Sequence, residues 1–170
     1  MDSHAIVLAA GASSRLGFPK ALADLDGRPL LQAHLEGLLA VCTSARVVTG
    51  AHAGLLRPHL GRAEERHNPD WSRSEMRHSI LCGLEGLPAG DRVLLLPVDS
   101  PPQEPALLRL LLGAEPPAAL GHRGRKGHPV SAEAGWLRKA ARTGPLRAAL
   151  EHAVMVSGPP SCLLNLNSPA

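Results

Sequence analysis

Residues 5–20 read Ala5-Ile6-Val7-Leu8-Ala9-Ala10-Gly11-Ala12-Ser13-Ser14-Arg15-Leu16-Gly17-Phe18-Pro19-Lys20, an apolar run that empties into a turn of glycine, serine and cations. Ala5 to Ala9 carries no polar residue on either face, the pattern of a strand covered on both sides, as strands of parallel sheets are. Gly11 and Gly17 let the backbone turn sharply and approach a ligand, and consecutive main-chain amides can there line an anion-binding concavity. Arg15 and Lys20 add fixed positive charge, and Ser13 and Ser14 add hydroxyl donors. A polyphosphate needs such a set, because its oxygens require many donors converging from one side. The stretch is not a P-loop, since Phe18 and Pro19 separate Lys20 from Gly17, and it is not the dinucleotide fingerprint, since position 13 is Ser. Taken alone, it also reads as a surface turn with two solvated cations.

Outward from this loop, strands and helices alternate. Asp26-Gly27 signals a turn, and Pro29 is placed to open a helix through Ala40 as its first residue. Arg46-Val47-Val48-Thr49 reads as a second strand closed by Gly50, followed by helices over 53–60 and 77–87. Val93 to Pro97 is the strongest strand signal, with Pro97 marking the end of its ladder. A helix over 106–112 follows. Beyond Ala118 the expectations are a turn at His128-Pro129-Val130, a helix over 133–142, a short helix over 148–152 and a late strand over 163–166. The alternation predicts an α/β domain with helices on both faces of a mostly parallel central sheet, three layers in all. Ligands in such sheets bind beyond the carboxyl ends of the strands. Two loops there carry unusual chemistry, one after Ala9 and one after Leu96.

Composition bounds the function. The chain has 170 residues, 44% hydrophobic, 19% charged and 2% aromatic, with a net charge of +3, which predicts one globular domain over 1–170 and excludes a disordered chain. No apolar run approaches the ~20 residues of a membrane span. Met1-Asp2-Ser3-His4 lacks the basic region and cleavage site of a signal peptide, so a cytoplasmic location is expected. Cys42, Cys82 and Cys162 are too scattered for a disulfide framework or a zinc cluster and read as small hydrophobes. With only Phe18, Trp71 and Trp136 as aromatics, a surface that stacks bases is not expected, so neither nucleic acid nor membrane is a predicted partner. His4, His34, His52, His59, His67, His122 and His152 show no metal-ligand spacing and are read as surface or packing residues.

At this point a resemblance carries further. Residues 8–20 resemble the Leu-Ala-Ala-Gly-x-Ser-x-Arg-x-Gly-x-Pro-Lys signature of the molybdenum cofactor nucleotidyltransferase-like family, within the nucleotide-diphospho-sugar transferase fold. Leu25-Asp26-Gly27-Arg28-Pro29-Leu30, Pro97-Val98-Asp99-Ser100-Pro101 and Gly127-His128-Pro129-Val130 match three further family segments, in order, over nearly the whole chain. Asn68-Pro69-Asp70-Trp71, with Ser79 and Gly83 behind it, resembles the family's Asn-x-x-Trp segment, which lies near nucleotide and acceptor in relatives. Leu-Ala-Ala-Gly with Pro-Lys and Pro-Val-Asp is closer to the cytidylyltransferase branch than to the guanylyltransferase branch.

The resemblance implies an NTP transferase domain of Rossmann-like fold. Its reaction would transfer a nucleoside monophosphate from an NTP, CTP favoured, to a phosphorylated acceptor such as molybdopterin cofactor, with Mg2+ as cofactor. It implies that Arg15 and Lys20 hold the triphosphate and, with Asp99, do the catalytic work. Leu8, Ala9, Ala10, Gly11, Ser13 and Ser79 would complete the nucleotide site, His128 would meet the acceptor, and Asp99 with Asn167 would hold the metal. The family's late Asp-x-Asp-Thr-Pro stands here as Asn165-Leu166-Asn167-Ser168-Pro169, with an amide at each acidic position. A sugar-phosphate nucleotidyltransferase, favoured by Asn167, and a nucleotide-binding homologue without turnover are the competing readings. The expected assembly is a monomer or a weak homo-oligomer.

Overall fold

The computed structural model describes residues 1–12 and 17–166. In chain order the elements are β1 (Ser3–Ala9), β2 (Asp24–Leu25), β3 (Arg28–Pro29), α1 (Leu30–Leu39), β4 (Ser44–Thr49), α2 (Ala53–Leu56), β5 (Glu64–His67), α3 (Met76–Leu84), β6 (Arg92–Pro97), α4 (Pro105–Gly113), β7 (Ala118–His122), β8 (Arg125–Glu133), α5 (Ala134–Thr143), α6 (Leu146–Ala149) and β9 (Val154–Ser157). Seven strands form one sheet in the order β5-β4-β1-β6-β8-β7-β9. Only β8 runs against the rest, pairing antiparallel with β6 and β7. The mostly parallel α/β fold expected from the sequence is therefore what forms.

The lack of polar residues over Ala5 to Ala9 of β1 follows from the place of that stretch in the sheet. Ala5, Val7 and Ala9 face a layer built from Leu31, Leu35 and Leu38 of α1 and Leu108 and Leu111 of α4. Ile6 and Leu8 face the opposite layer, where Ile80 and Leu84 of α3 meet Leu137 and Ala141 of α5. Strand alternation sends successive side chains to opposite faces, so a centre strand under two helical layers has no polar face to show. Ile6, Leu94 and Leu96 are each 2% exposed or less, and burial on that scale contributes about 1.5–3 kcal/mol per side chain. The strands that carry the two chemically unusual loops are thus firmly packed on both faces.

The structure corrects several expectations. His128-Pro129-Val130 is not a turn but lies inside β8, with Val130 opposite Leu95 of β6. Pro129 is tolerated there because the β7–β8 register breaks between the Ala119–Val130 and Gly121–Lys126 pairs, so no ladder donor is required of it. The late strand is β9, not 163–166; Pro159 and Pro160 instead start a 3-10 turn over Pro160–Leu163, whereas Val154-Met155-Val156 suits an extended chain. Pro29 precedes α1 in extended conformation, with φ −60° and ψ 141°, instead of occupying its first turn. Pro58 cuts the second helix short, leaving α2 and a 3-10 turn over Arg57–His59. The short helix expected over 148–152 lies over Leu146–Ala149. Cys42 and Cys162 are buried as expected, while Cys82 is only partly so.

β5 carried no apolar signal because Glu64-Glu65-Arg66-His67 forms the charged edge of the sheet. Its carboxylates pair with arginines, Arg57 Nε to Glu65 at 2.8 Å and Arg66 Nη2 to Glu64 at 3.0 Å. Such an edge resists pairing with another chain.

Gly127, one residue before His128, sits directly against the backbone of the 160–163 turn. A Cβ there would clash with the carbonyl oxygen of Cys162. Gly127→Ala is expected to lower stability by about 1–3 kcal/mol, read as a lower urea midpoint. Gly90→Ala, where a Cβ meets nothing within 4 Å, should leave the midpoint unchanged or slightly raised.

Candidate active site

β1 and β6 run parallel with Leu8 opposite Pro97, so their following loops leave the sheet side by side at the same end. Pro97 stands at the end of β6, and the next amide, Val98 N, donates to Leu8 O at 3.0 Å. This bond carries Asp99 to the mouth of β1. Lys20, which opens a 3-10 turn over Lys20–Leu22, brings its Nζ to 3.7 Å from Asp99 Oδ2, with side-chain exposures of 19% and 18%.

The loop around Asp99 is braced from several directions. Ser100 Oγ donates to Pro97 O at 2.7 Å, and Leu166 N donates to Asp99 O at 2.8 Å. From α1, His34 Nε2 lies 3.1 Å from Val98 O and 2.7 Å from Ser100 O. Leu166, next to Asn165, thus reaches the Asp99 loop. Asn167 itself lies outside the described residues, as do Ser13 and Arg15.

The opposite wall depends on Gly50. A Cβ at that position would stand 2.5 Å from Ala10 O and 2.7 Å from Trp71 Cβ, so only glycine lets the end of β4 pass between the two. His52, which follows, donates from Nε2 to Ala12 O at 2.7 Å; a carbonyl only accepts, so this nitrogen carries the proton. Asn68 organises the next loop: its Nδ2 donates to Ser74 Oγ and Ser79 Oγ, both at 3.1 Å, and its Oδ1 accepts from Asp70 N at 3.0 Å.

Leu8, Ala9, Ala10, Gly11, Lys20, Ser79 and Asp99 line one cleft of about 280 Å³. Its lining is completed by residues the sequence did not single out for the site, His52, Leu56 and Met76 among them. His52 and Leu56 carry no motif of their own; a sheet topology would have found them, because they follow β4, the neighbour of β1. His128 lies on β8 and does not line the cleft. Its Nδ1 is buried without a hydrogen-bond partner. Burial pushes its pKa below the ordinary imidazole value, and the charge of nearby Asp99 acts in the opposite direction.

A cation would find a limited donor set here. Among the described residues no group of three His, Cys, Asp or Glu could hold a metal ion, which does not fit a zinc cage. Magnesium asks for less, one or two carboxylates completed by water and substrate phosphates. Asp99, at the rim of an open cleft beside a lysine, fits that demand.

Comparison with known proteins gives the family. Residues 5–157 match the MobA-like NTP transferase domain. The chain belongs to that family. Over 107 residues it is 32% identical to the bifunctional protein GlmU of Thermotoga maritima, an overlap of 58% of this chain and 22% of that protein. The chain spans less than a quarter of the length of the curated relatives it matches. Among solved structures, a nucleotidyl transferase from Methanothermobacter thermautotroptrophicus superposes with a TM-score of 0.79 at 26% identity, over 98% of this chain and 92% of that one. Rv0371c from Mycobacterium tuberculosis, as a manganese complex, shares the fold with a TM-score of 0.69 at 22% identity, over 94% and 90% of the two chains. Among the described residues of this member of the family, no helix is long and apolar enough to cross a membrane.

The Asn68 side chain is the one polar group that ties Asp70, Ser74 and Ser79 together. Asn68→Ala strands those partners and is expected to cost about 1–3 kcal/mol, measured by urea unfolding. Faster amide exchange over residues 69–75, with β4 unchanged, would show the loss to be local.

Proposed function

We propose that this protein transfers a nucleoside monophosphate from an NTP, with CTP favoured, to a phosphorylated acceptor of the molybdopterin cofactor type, releasing pyrophosphate. The observation that carries the reading is the Lys20–Asp99 pair, 3.7 Å apart, at the mouth of a cleft whose floor is the β1 backbone. A phosphoryl site needs a cation for the phosphate oxygens and a carboxylate for a metal, and these two stand together where the sheet delivers them.

Each residue then has a part. Lys20 neutralises the triphosphate and steadies it for attack, with Arg15, Ser13 and the Gly11 backbone as further donors. Leu8, Ala9 and Ala10 present main chain towards the nucleoside, with Ser79 on the far wall. Asp99 would hold a divalent ion, Mg2+ in this reading, with Asn167 as second ligand; when bound, the ion offsets charge on the phosphate oxygens as the pyrophosphate leaves. His128 stands on the acceptor side.

No general base is required of the chain, because a phosphate acceptor has its second pKa near ~6 and is already an anionic nucleophile at neutral pH. Positioning and charge neutralisation supply the acceleration. A sugar phosphate as acceptor is a second reading, favoured by the amide at Asn167.

Lys20→Met and Asp99→Asn are each expected to lower pyrophosphate release from CTP and molybdopterin by roughly 10²–10³-fold. Both should retain a wild-type thermal melt without ligand, and Asp99→Asn should also lose the Mg2+-dependent thermal stabilisation by CTP. Wild-type turnover in either variant would overturn the assignment, and stabilisation by a nucleotide other than CTP would reassign the base.

A further inference from the structure

His34 is 3% exposed on a helix whose neighbouring inward residues, Leu31, Leu35 and Leu38, are all apolar. A leucine would continue that face, and an imidazole buried there costs free energy unless its polar atoms are bonded. Its Nε2 lies 3.1 Å from Val98 O and 2.7 Å from Ser100 O. Both partners are carbonyl oxygens, so Nε2 is the donor, and one N–H is shared between the carbonyls of the two residues that flank Asp99.

This arrangement orients the residue between them. With the carbonyls of 98 and 100 drawn inward to α1, the carbonyl of Asp99 turns away, where it accepts from Leu166 N at 2.8 Å. The Asp99 side chain is left to face the cleft and Lys20. The bonds from Ser100 Oγ and Ser100 N to Pro97 O, at 2.7 and 3.2 Å, tighten the turn but act on one carbonyl upstream of Asp99. His34 is thus the side chain that grips both flanks.

We infer that His34 is a positioning residue of the transfer reaction, its buried N–H clamping the Val98 and Ser100 carbonyls so that the Asp99 carboxylate is aimed at the metal and phosphates. The inference rests on the reading of Asp99 given under Proposed function. It assigns His34 no contact with substrate. Its importance comes from the sensitivity of such reactions to placement, since a displacement of about 1 Å can cost about 10²-fold in rate.

The test uses His34→Leu, which fills the space without a donor, His34→Gln, whose side-chain amide can place an N–H close to the position of Nε2, and Asp99→Ala as a control. Three properties would be measured: amide exchange over 98–100 and 164–166, binding of Mn2+ with CTP by water-proton relaxation, and kcat and KM for CTP. In His34→Leu exchange in both segments should quicken at least about tenfold while residues 92–96 of β6 keep their protection. The Mn2+–CTP complex should weaken, with KM for CTP rising in step, and kcat should fall about 10²-fold. His34→Gln should restore most of all three. The inference is overturned if His34→Leu exchanges and binds Mn2+–CTP as wild type does, or if His34→Gln is no better than His34→Leu. Should Asp99→Ala bind Mn2+–CTP normally, the metal reading of Asp99 itself fails, and the exchange measurement alone then decides whether His34 holds the loop.

Discussion

The hydrogen bond from Val98 N to Leu8 O, 3.0 Å long, is the constraint on which the site depends. It is the last link between two buried strands, and it forms one residue past Pro97. Because β1 and β6 are parallel neighbours, their exits share one end of the sheet, and the fixed register of Leu8 with Pro97 sets the depth at which each loop begins. An antiparallel pair would send the two loops to opposite ends. Glycine turn, lysine and carboxylate meet because parallel pairing leaves them no other place.

Around that link the chain spends polar groups on aiming loops and apolar groups on holding strands. The two helical layers grip the inner stretches of β1 and β6 through apolar side chains, whereas His34, His52 and Asn68 each bond to a loop that borders the cleft. His34 and His52 reach across long stretches of sequence, so the loops they hold are fixed by the tertiary fold and not by local turn preference, whereas Asn68 braces the loop that it opens. Gly50 and Gly127 play the complementary part, admitting backbone where any side chain would collide.

This division explains what could be read from the sequence. β1 and β6 were legible because their stretches covered on both faces, 5–9 and 93–97, carry no polar side chain, and the Gly11–Lys20 and Pro97–Pro101 segments were legible because their residue types are unusual beside such runs. β5 was not, since an edge strand of Glu-Glu-Arg-His obeys no hydrophobic period. β8 was misread at His128-Pro129 because proline signals a turn unless a break in register, a long-range property, releases it from the ladder. His34 read as a packing residue, and packed it is; only its two carbonyl partners, more than sixty positions away, show what it packs for.

The bond between Leu166 N and Asp99 O has a practical consequence for handling the protein. Ser3, where β1 begins, lies at the end of the sheet remote from the cleft, while Leu166 touches the loop that bears the reacting groups. A bulky label attached beside Leu166 would therefore bear on that loop, whereas one attached beside Ser3 would not. Preparations that differ only in which of these two positions carries the label are therefore not interchangeable for nucleotide or metal titrations.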